Sequence, residues 1–200
     1  MVGFTAGGEG KDLVAVLELC EGMQALGKPP SFDTVTRDVY PPGALPQLTP
    51  PQAAVLARAV ASACAHLHAH GVAHGDVYAH NVMVDAAALG PGAARGSLRA
   101  LREGRVKLGD LGAAYVYDPA APHAALVQRT EVRAWACLCG ELAALAGAGG
   151  AGDAGGEAVL AGLRALAAPC EPGAAGAAAV PLFTEAVARL DALLEPFADQ

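Results

Sequence analysis

An aspartate and an asparagine stand five positions apart in His74-Gly75-Asp76-Val77-Tyr78-Ala79-His80-Asn81, and a second aspartate follows in Lys107-Leu108-Gly109-Asp110-Leu111-Gly112. These residue types suit phosphoryl transfer. A carboxylate at Asp76 can accept a hydroxyl proton, and the amide oxygen of Asn81 can coordinate magnesium. Asp110 adds the second oxygen ligand that so hard a cation requires. Gly112 is expected to let the chain turn sharply behind Asp110. Singly, each of these Asp and Asn residues would be read as a turn cap. Their spacing, the flanking strands and Gly112 together read as a nucleotide site.

Such a site needs a loop between a helix and a strand, and the surrounding sequence supplies both. Thr49 as cap, Pro50 in the first turn and Gly71 as a stop predict a helix before the loop. Leu56, Val60, Ala63 and Leu67 repeat along it as one buried stripe. Short strands are expected at Val82-Met83-Val84 and from Arg105 to Gly109, with a solvated loop from Ala86 to Gly104 between them. A buried helix is expected from Glu131 to Ala146, with Trp135, Leu138, Leu142 and Leu145 on one side. Gly147 to Gly156 reads as a flexible link, and amphipathic helices are expected near Glu157–Ala168 and Pro181–Phe197. Upstream, Asp12 to Leu19 has strand length. The prolines at 29, 30, 41, 42 and 46 leave room for only a short helix near Phe32–Tyr40.

The two motifs resemble the protein-kinase catalytic loop, H-R-D-x-x-x-x-N, and its metal-binding D-F-G. The resemblance extends to Leu67-His68 before the loop, and Glu131-Val132 through Glu141-Leu142 looks like the buried helix behind it. Val16-Leu17-Glu18-Leu19-Cys20 looks like the last N-lobe strand and the hinge. It implies an α+β, mainly helical fold: a protein-kinase-like C-lobe with a remnant of the N-lobe sheet. Residues 1–20 would hold the last N-lobe strands and hinge, and 21–200 the C-lobe, with loop insertions near 86–104 and 147–156. It also implies ATP and Mg2+ as ligands and a protein hydroxyl as acceptor. On that match Asp76 is the catalytic base, and Asn81 and Asp110 bind metal. Leu17 is the gatekeeper, Glu18 and Cys20 meet the adenine through their backbone, and Met83 packs under the ring. His74, Gly112 and Glu131 are structural, and the Glu131 carboxylate, at its helix start, accepts hydrogen bonds from the catalytic-loop backbone.

Departures from the pattern set further expectations. Gly75 stands where the family has Arg, Tyr78 where Ser/Thr kinases have Lys, and Leu111 where Phe is usual, the last keeping the apolar packing. No glycine-rich loop, strand Lys or partner Glu precedes Leu13, so the chain reads as truncated and turnover is expected to be impaired. A pseudokinase or binding module without turnover is one alternative. A small-molecule phosphotransferase of the aminoglycoside and choline type, which uses H-G-D-x-x-x-x-N, is the other.

The bulk composition narrows the partners. Hydrophobic residues make up 54% and aromatics 4%, so the core is chiefly Ala, Leu and Val, which favours helices. A net charge of −7 with scattered arginines argues against nucleic acid and anionic membranes. Neither a secretory leader nor a spanning helix is expected. The five cysteines show no disulfide or zinc spacing and read as reduced thiols in an intracellular, cytoplasmic setting. Gly147–Gly152 formally matches G-x-G-x-x-G but lies in a Gly/Ala tract, and Gly7–Lys11 is a poor P-loop. His68 reads as packed, with His66 and His70 on the surface.

Overall fold

Alanine sets the packing distances in this chain. The helix predicted after Thr49 forms as α1 (Pro50–Ala69), and its Ala53, Ala54, Ala57 and Ala61 are fully buried. Side chains that small let neighbouring helices approach closely. Against α1 pack α3 (Ala124–Ala148) and α5 (Phe183–Leu194), with α4 (Ala154–Ala167) against α3. Trp135 of α3 is completely buried, donates its indole N–H to the carbonyl of Ala57 (2.9 Å), and meets Phe183 of α5 edge-on. One apolar core therefore joins these helices.

The computed structural model describes residues 3–6, 13–16, 19–34, 38–40, 48–89, 97–148, 152–170 and 180–199. Its strands are short. β1 (Gly3–Ala6) and β2 (Leu13–Val16) pair antiparallel, Gly3 opposite Val16. β3 (Gln24–Ala25), β5 (Val82–Val84) and β6 (Val106–Leu108) form an antiparallel sheet with β5 in the centre. β4 (Val72–Ala73) pairs with β7 (Tyr115–Val116). The two predicted strands at 82–84 and 105–109 thus form as neighbours, and the loops around them become neighbours too. Among the described residues no helix is long and apolar enough to cross a membrane.

Five expectations need correction. The stretch from Ala86 to Gly104 is not loop throughout. A 3-10 turn at Ala86–Ala88 and the helix α2 (Ser97–Arg102) lie in it, and Ala88, Leu89, Leu98 and Leu101 are buried. Gln52 explains part of this: its Oε1 accepts from the Thr49 N–H and its Nε2 donates to the carbonyl of Ala88, tying the start of α1 to that turn. The stripe of α1 is rotated from the expected one, with Leu56, Ala57, Val60, Ala61, Cys64 and His68 buried while Ala63 and Leu67 are half-buried. Near Phe32–Tyr40 the described residues form a turn at 32–34 and a bridge between Val39 and Lys28 instead of a helix.

Finally, α3 begins at Ala124, seven residues before Glu131, so Glu131 lies inside the helix. The link near 147–156 also shrinks, because α3 runs to Ala148 and Asp153 caps α4 through the Gly156 N–H.

The buried α2 yields a test. Leu101 is 1% exposed, so Leu101→Ala should destabilise the chain by about 2–5 kcal/mol in denaturant titration. A side chain in a solvated loop would cost less than about 0.5 kcal/mol.

Candidate functional site

The loop between β4 and β5 carries His74 to Asn81, and its backbone is held at close quarters by the loop after β6. His74 is wholly buried, and its Nε2–H donates to the carbonyl of Gly109 (2.9 Å). A carbonyl only accepts, so Nε2 carries the proton, and Nδ1 takes the Asp76 N–H (3.3 Å). The Gly109 N–H in turn donates to the carbonyl of Asn81 (2.8 Å). Two hydrogen bonds thus bring Asn81 and Asp110, twenty-nine positions apart in sequence, to adjoining loops.

Gly75 has a geometric reason for its identity. Its φ is +81°, and a Cβ there would lie 2.3 Å from the carbonyl oxygen of Ala113. Any side chain would collide with backbone, so the glycine found in place of arginine belongs to the packing of the two loops.

Glu131 reaches this loop from two turns inside α3. Its Oε1 accepts from the Gly75 N–H (2.6 Å) and its Oε2 from His68 Nε2–H (2.6 Å), with Glu131 and His68 both 6% exposed at the side chain. Burial pushes the Glu131 carboxyl up, but the hydrogen bonds from His68, Gly75 and the His74 N–H outweigh it and leave it below the usual carboxylate range. The same carboxylate adds to the burial that pushes the nearby Cys64 thiol up. Its contact with the backbone of the 74–81 loop matches the expectation, although its place at a helix start does not.

Asp76 and Asn81 meet directly. Asn81 Nδ2 donates to the Asp76 carbonyl (2.9 Å) and to its Oδ2 (2.8 Å), which leaves the amide oxygen as Asn81's remaining ligand atom. Asn81 is buried, whereas the Asp76 side chain is 36% exposed. Asp110 is exposed and adopts the left-handed conformation (φ 54°), which costs a non-glycine residue about 1–2 kcal/mol. Its Oδ1 accepts the Gly112 N–H (3.1 Å), and a Cβ at Gly112 would lie only 3.0 Å from that oxygen. The sharp turn therefore falls on Asp110, and Gly112 serves by making room for the carboxylate. That corrects the expected division of labour.

Two further expectations have different outcomes. Leu111 is 43% exposed, so it does not keep the apolar packing expected of it. His68 is packed as expected, and His66 and His70 lie exposed with ring centres 4.4 Å apart. Of the adenine contacts, Leu17 and Glu18 lie outside the described residues. Cys20 is half-buried at a turn, its carbonyl accepting the Met23 N–H (3.2 Å). Met83 is half-buried in β5, between Ala25 of β3 and Lys107 of β6.

Sequence reasoning missed Asp38. Its side chain is 1% exposed, its Oδ2 accepts the Ala79 N–H, and its Oδ1 accepts from His80 Nδ1–H (2.7 Å). The described residues from 27 to 34 and from 38 to 40 form a strap over this loop: the Gly27 N–H donates to the Ala79 carbonyl (3.3 Å), and a Cβ at Gly27 would lie 3.1 Å from that of Ala79. Tyr40 closes the strap by donating to Glu141 Oε2 of α3 (2.7 Å). A cavity of about 40 Å³ lies beneath it, lined by Asp38, Val77, Tyr78, Cys137 and Glu141 among others. Burial, followed by the charge of Asp76, pushes the Tyr78 hydroxyl up. An acid within a proline-rich stretch carries no periodic signal that would have marked it.

The family model described as protein tyrosine and serine/threonine kinase matches residues 9–135, a span that includes both loops and the start of the Glu131 contact. No curated protein and no solved structure matches the chain.

Glu131 sets a pH test. Its folded value lies below the ordinary 4.5, so its stabilisation is fully present above about pH 4.5 and is lost as pH falls through the lower folded value. Glu131→Gln should cost about 1–3 kcal/mol at pH 7, and the gap to wild type should narrow as the pH falls below 4.5 in chemical denaturation. A constant gap across that range would contradict the assignment.

Proposed function

This chain belongs to the protein tyrosine and serine/threonine kinase family, and on that premise we propose that it transfers the γ-phosphoryl group of ATP to a hydroxyl acceptor, with Asp76 as the proton acceptor. The observation that carries the reading is the hydrogen-bonded chain from His74 through Gly109 and Asn81 to Asp76, which brings the two motifs into adjoining loops. Asp110 and Asn81 are the magnesium ligands in this reading. Their donor set fits: an exposed carboxylate whose Oδ1 meets a backbone N–H, beside an amide whose nitrogen is already engaged, offers the oxygens a hard cation prefers. Bound there, the ion would neutralise phosphate charge.

The acceptor's hydroxyl oxygen forms a bond to the γ-phosphorus as the bond from that phosphorus to the β,γ-bridging oxygen breaks. ADP leaves with the electron pair, and the hydroxyl proton passes to the Asp76 carboxylate. Asn81 orients Asp76 through both its carbonyl and its Oδ2. In the same reading Met83 and the backbone of Glu18 and Cys20 would meet the adenine, with Leu17 as gatekeeper. Residues 1–20 belong to the N-lobe side and 21–200 to the C-lobe. Of the lysines among the described residues, Lys28 stands at the backbone bridge to Val39 and Lys107 lies in β6. With Tyr78 where Ser/Thr kinases carry a lysine, turnover is slow in this reading.

One observation favours a second acceptor class. Only residues 111–123 separate Asp110 from α3, leaving little chain to seat a peptide. A small hydroxylated molecule is the alternative acceptor.

Mg·ATP should raise the melting temperature, gaining about 1.4 kcal/mol at about ten times Kd. Asp110→Ala should abolish that gain. Asp76→Asn should retain it while lowering phosphoryl transfer at least about 10²-fold. No shift at millimolar Mg·ATP would count against the reading.

A further inference from the structure

His66 and His70 stand four positions apart at the end of α1, the spacing that puts two side chains on one helix face. Both are exposed, and their rings are tilted by 48° with centres 4.4 Å apart. Two imidazoles on one zinc ion, at the usual Zn–N distance of about 2.0–2.1 Å, have ring centres about 5 Å apart. Only a small rotation separates this pair from a shared ion. His70 is already held in place, because its Nδ1–H donates to the carbonyl of His66 (2.8 Å), and a carbonyl only accepts. Nε2, across the ring, is the atom left for a ligand. A metal ion competes with a proton for that nitrogen, so the site does not require Nε2 to be bare beforehand.

The setting favours a cation. His70 is the C-cap of α1, where the carbonyls of the last turn form the negative end of the helix. Imidazole nitrogen suits zinc, copper and nickel, whereas magnesium prefers oxygen. Among the described residues no group of three His, Cys, Asp or Glu could hold a metal ion, so a site here has two protein ligands and water.

We propose that His66 and His70 form a chelating site for a divalent transition-metal ion of the zinc class, which clamps the last turn of α1. His68, between them in sequence, is buried and bonded to Glu131, whose other oxygen holds the Gly75 N–H. An ion on the outer face of that turn therefore braces the helix end from which His68 reaches the 74–81 loop. The site uses none of the residues of the phosphoryl-transfer reading and stands independently of it.

Zinc alone is the probe. Competition with a chromophoric zinc chelator, at about pH 7.5 so that protons compete little, gives Kd for residues 1–200, for His66→Gln and for His70→Gln. Each substitution should weaken Zn2+ binding at least about tenfold, because losing either ring ends the chelate. Millimolar Mg2+ should not displace the zinc. At about ten times the wild-type Kd, Zn2+ should raise the wild-type Tm by about 3–6 °C and that of the variants far less. Should His70→Gln fail to fold, His66→Gln decides, since it removes an exposed ring and keeps the backbone carbonyl that His70 uses. A Kd that His66→Gln leaves within about tenfold of wild type places the zinc elsewhere, on the cysteines for instance, and overturns the site. Zinc displaced by Mg2+, zinc bound without a rise in Tm, or no binding at millimolar Zn2+ overturns it equally.

Discussion

The buried carboxylate of Glu131 is the contact on which the site depends. It receives His68 from the end of α1 and the backbone N–H of Gly75 from the 74–81 loop, at 2.6 Å each. A charge in that position would be strongly destabilising without those donors, and the donors would be unsatisfied without it. Three elements are thereby locked by one side chain. The loop needs such an anchor because its own conformation is demanding: Gly75 has positive φ and touches the Ala113 backbone, and Asp110 opposite is left-handed.

From that anchor the rest is reached in short steps. His74 extends the lock to Gly109, Gly109 extends it to Asn81, and Asn81 holds Asp76. Each link uses a donor and an acceptor of fixed role, so little freedom remains in the order of the polar atoms. The helical core supplies rigidity behind this chain, with Trp135 and the small residues of α1 packed without exposure. Polar precision at the edge rests on dense apolar packing beneath it.

Much of this was legible in the sequence, for identifiable reasons. The helix after Thr49 has a cap, a first-turn proline and a glycine stop, all local signals. The motifs around Asp76 and Asp110 combine residue type with spacing, and Glu131 was found because a neighbouring pattern gave it context. What escaped reading depends on distant partners. Asp38 has meaning only once Ala79 and His80 are beside it, forty-one and forty-two residues away. The burial of Leu98 and Leu101 was hidden by the glycine- and alanine-rich composition around α2. The start of α3 before Glu131 carries no cap signal that would have marked it, and the exposure of Leu111 goes with the turn at Asp110.

The long reach of the strap also fixes when the site can come into being. Tyr40 bonds to Glu141 across 101 residues, and Gly75 to Glu131 across 56. During synthesis, the 74–81 loop leaves the ribosome well before the helix that anchors it, and the strap waits longer still for its last contact. Closing such long loops is entropically costly and slow. The strap can bond to Ala79 and His80 as soon as that loop is made, but its bond to Glu141 must wait for α3. Until α3 has emerged, the nascent chain carries its motif residues without the geometry that gives them meaning.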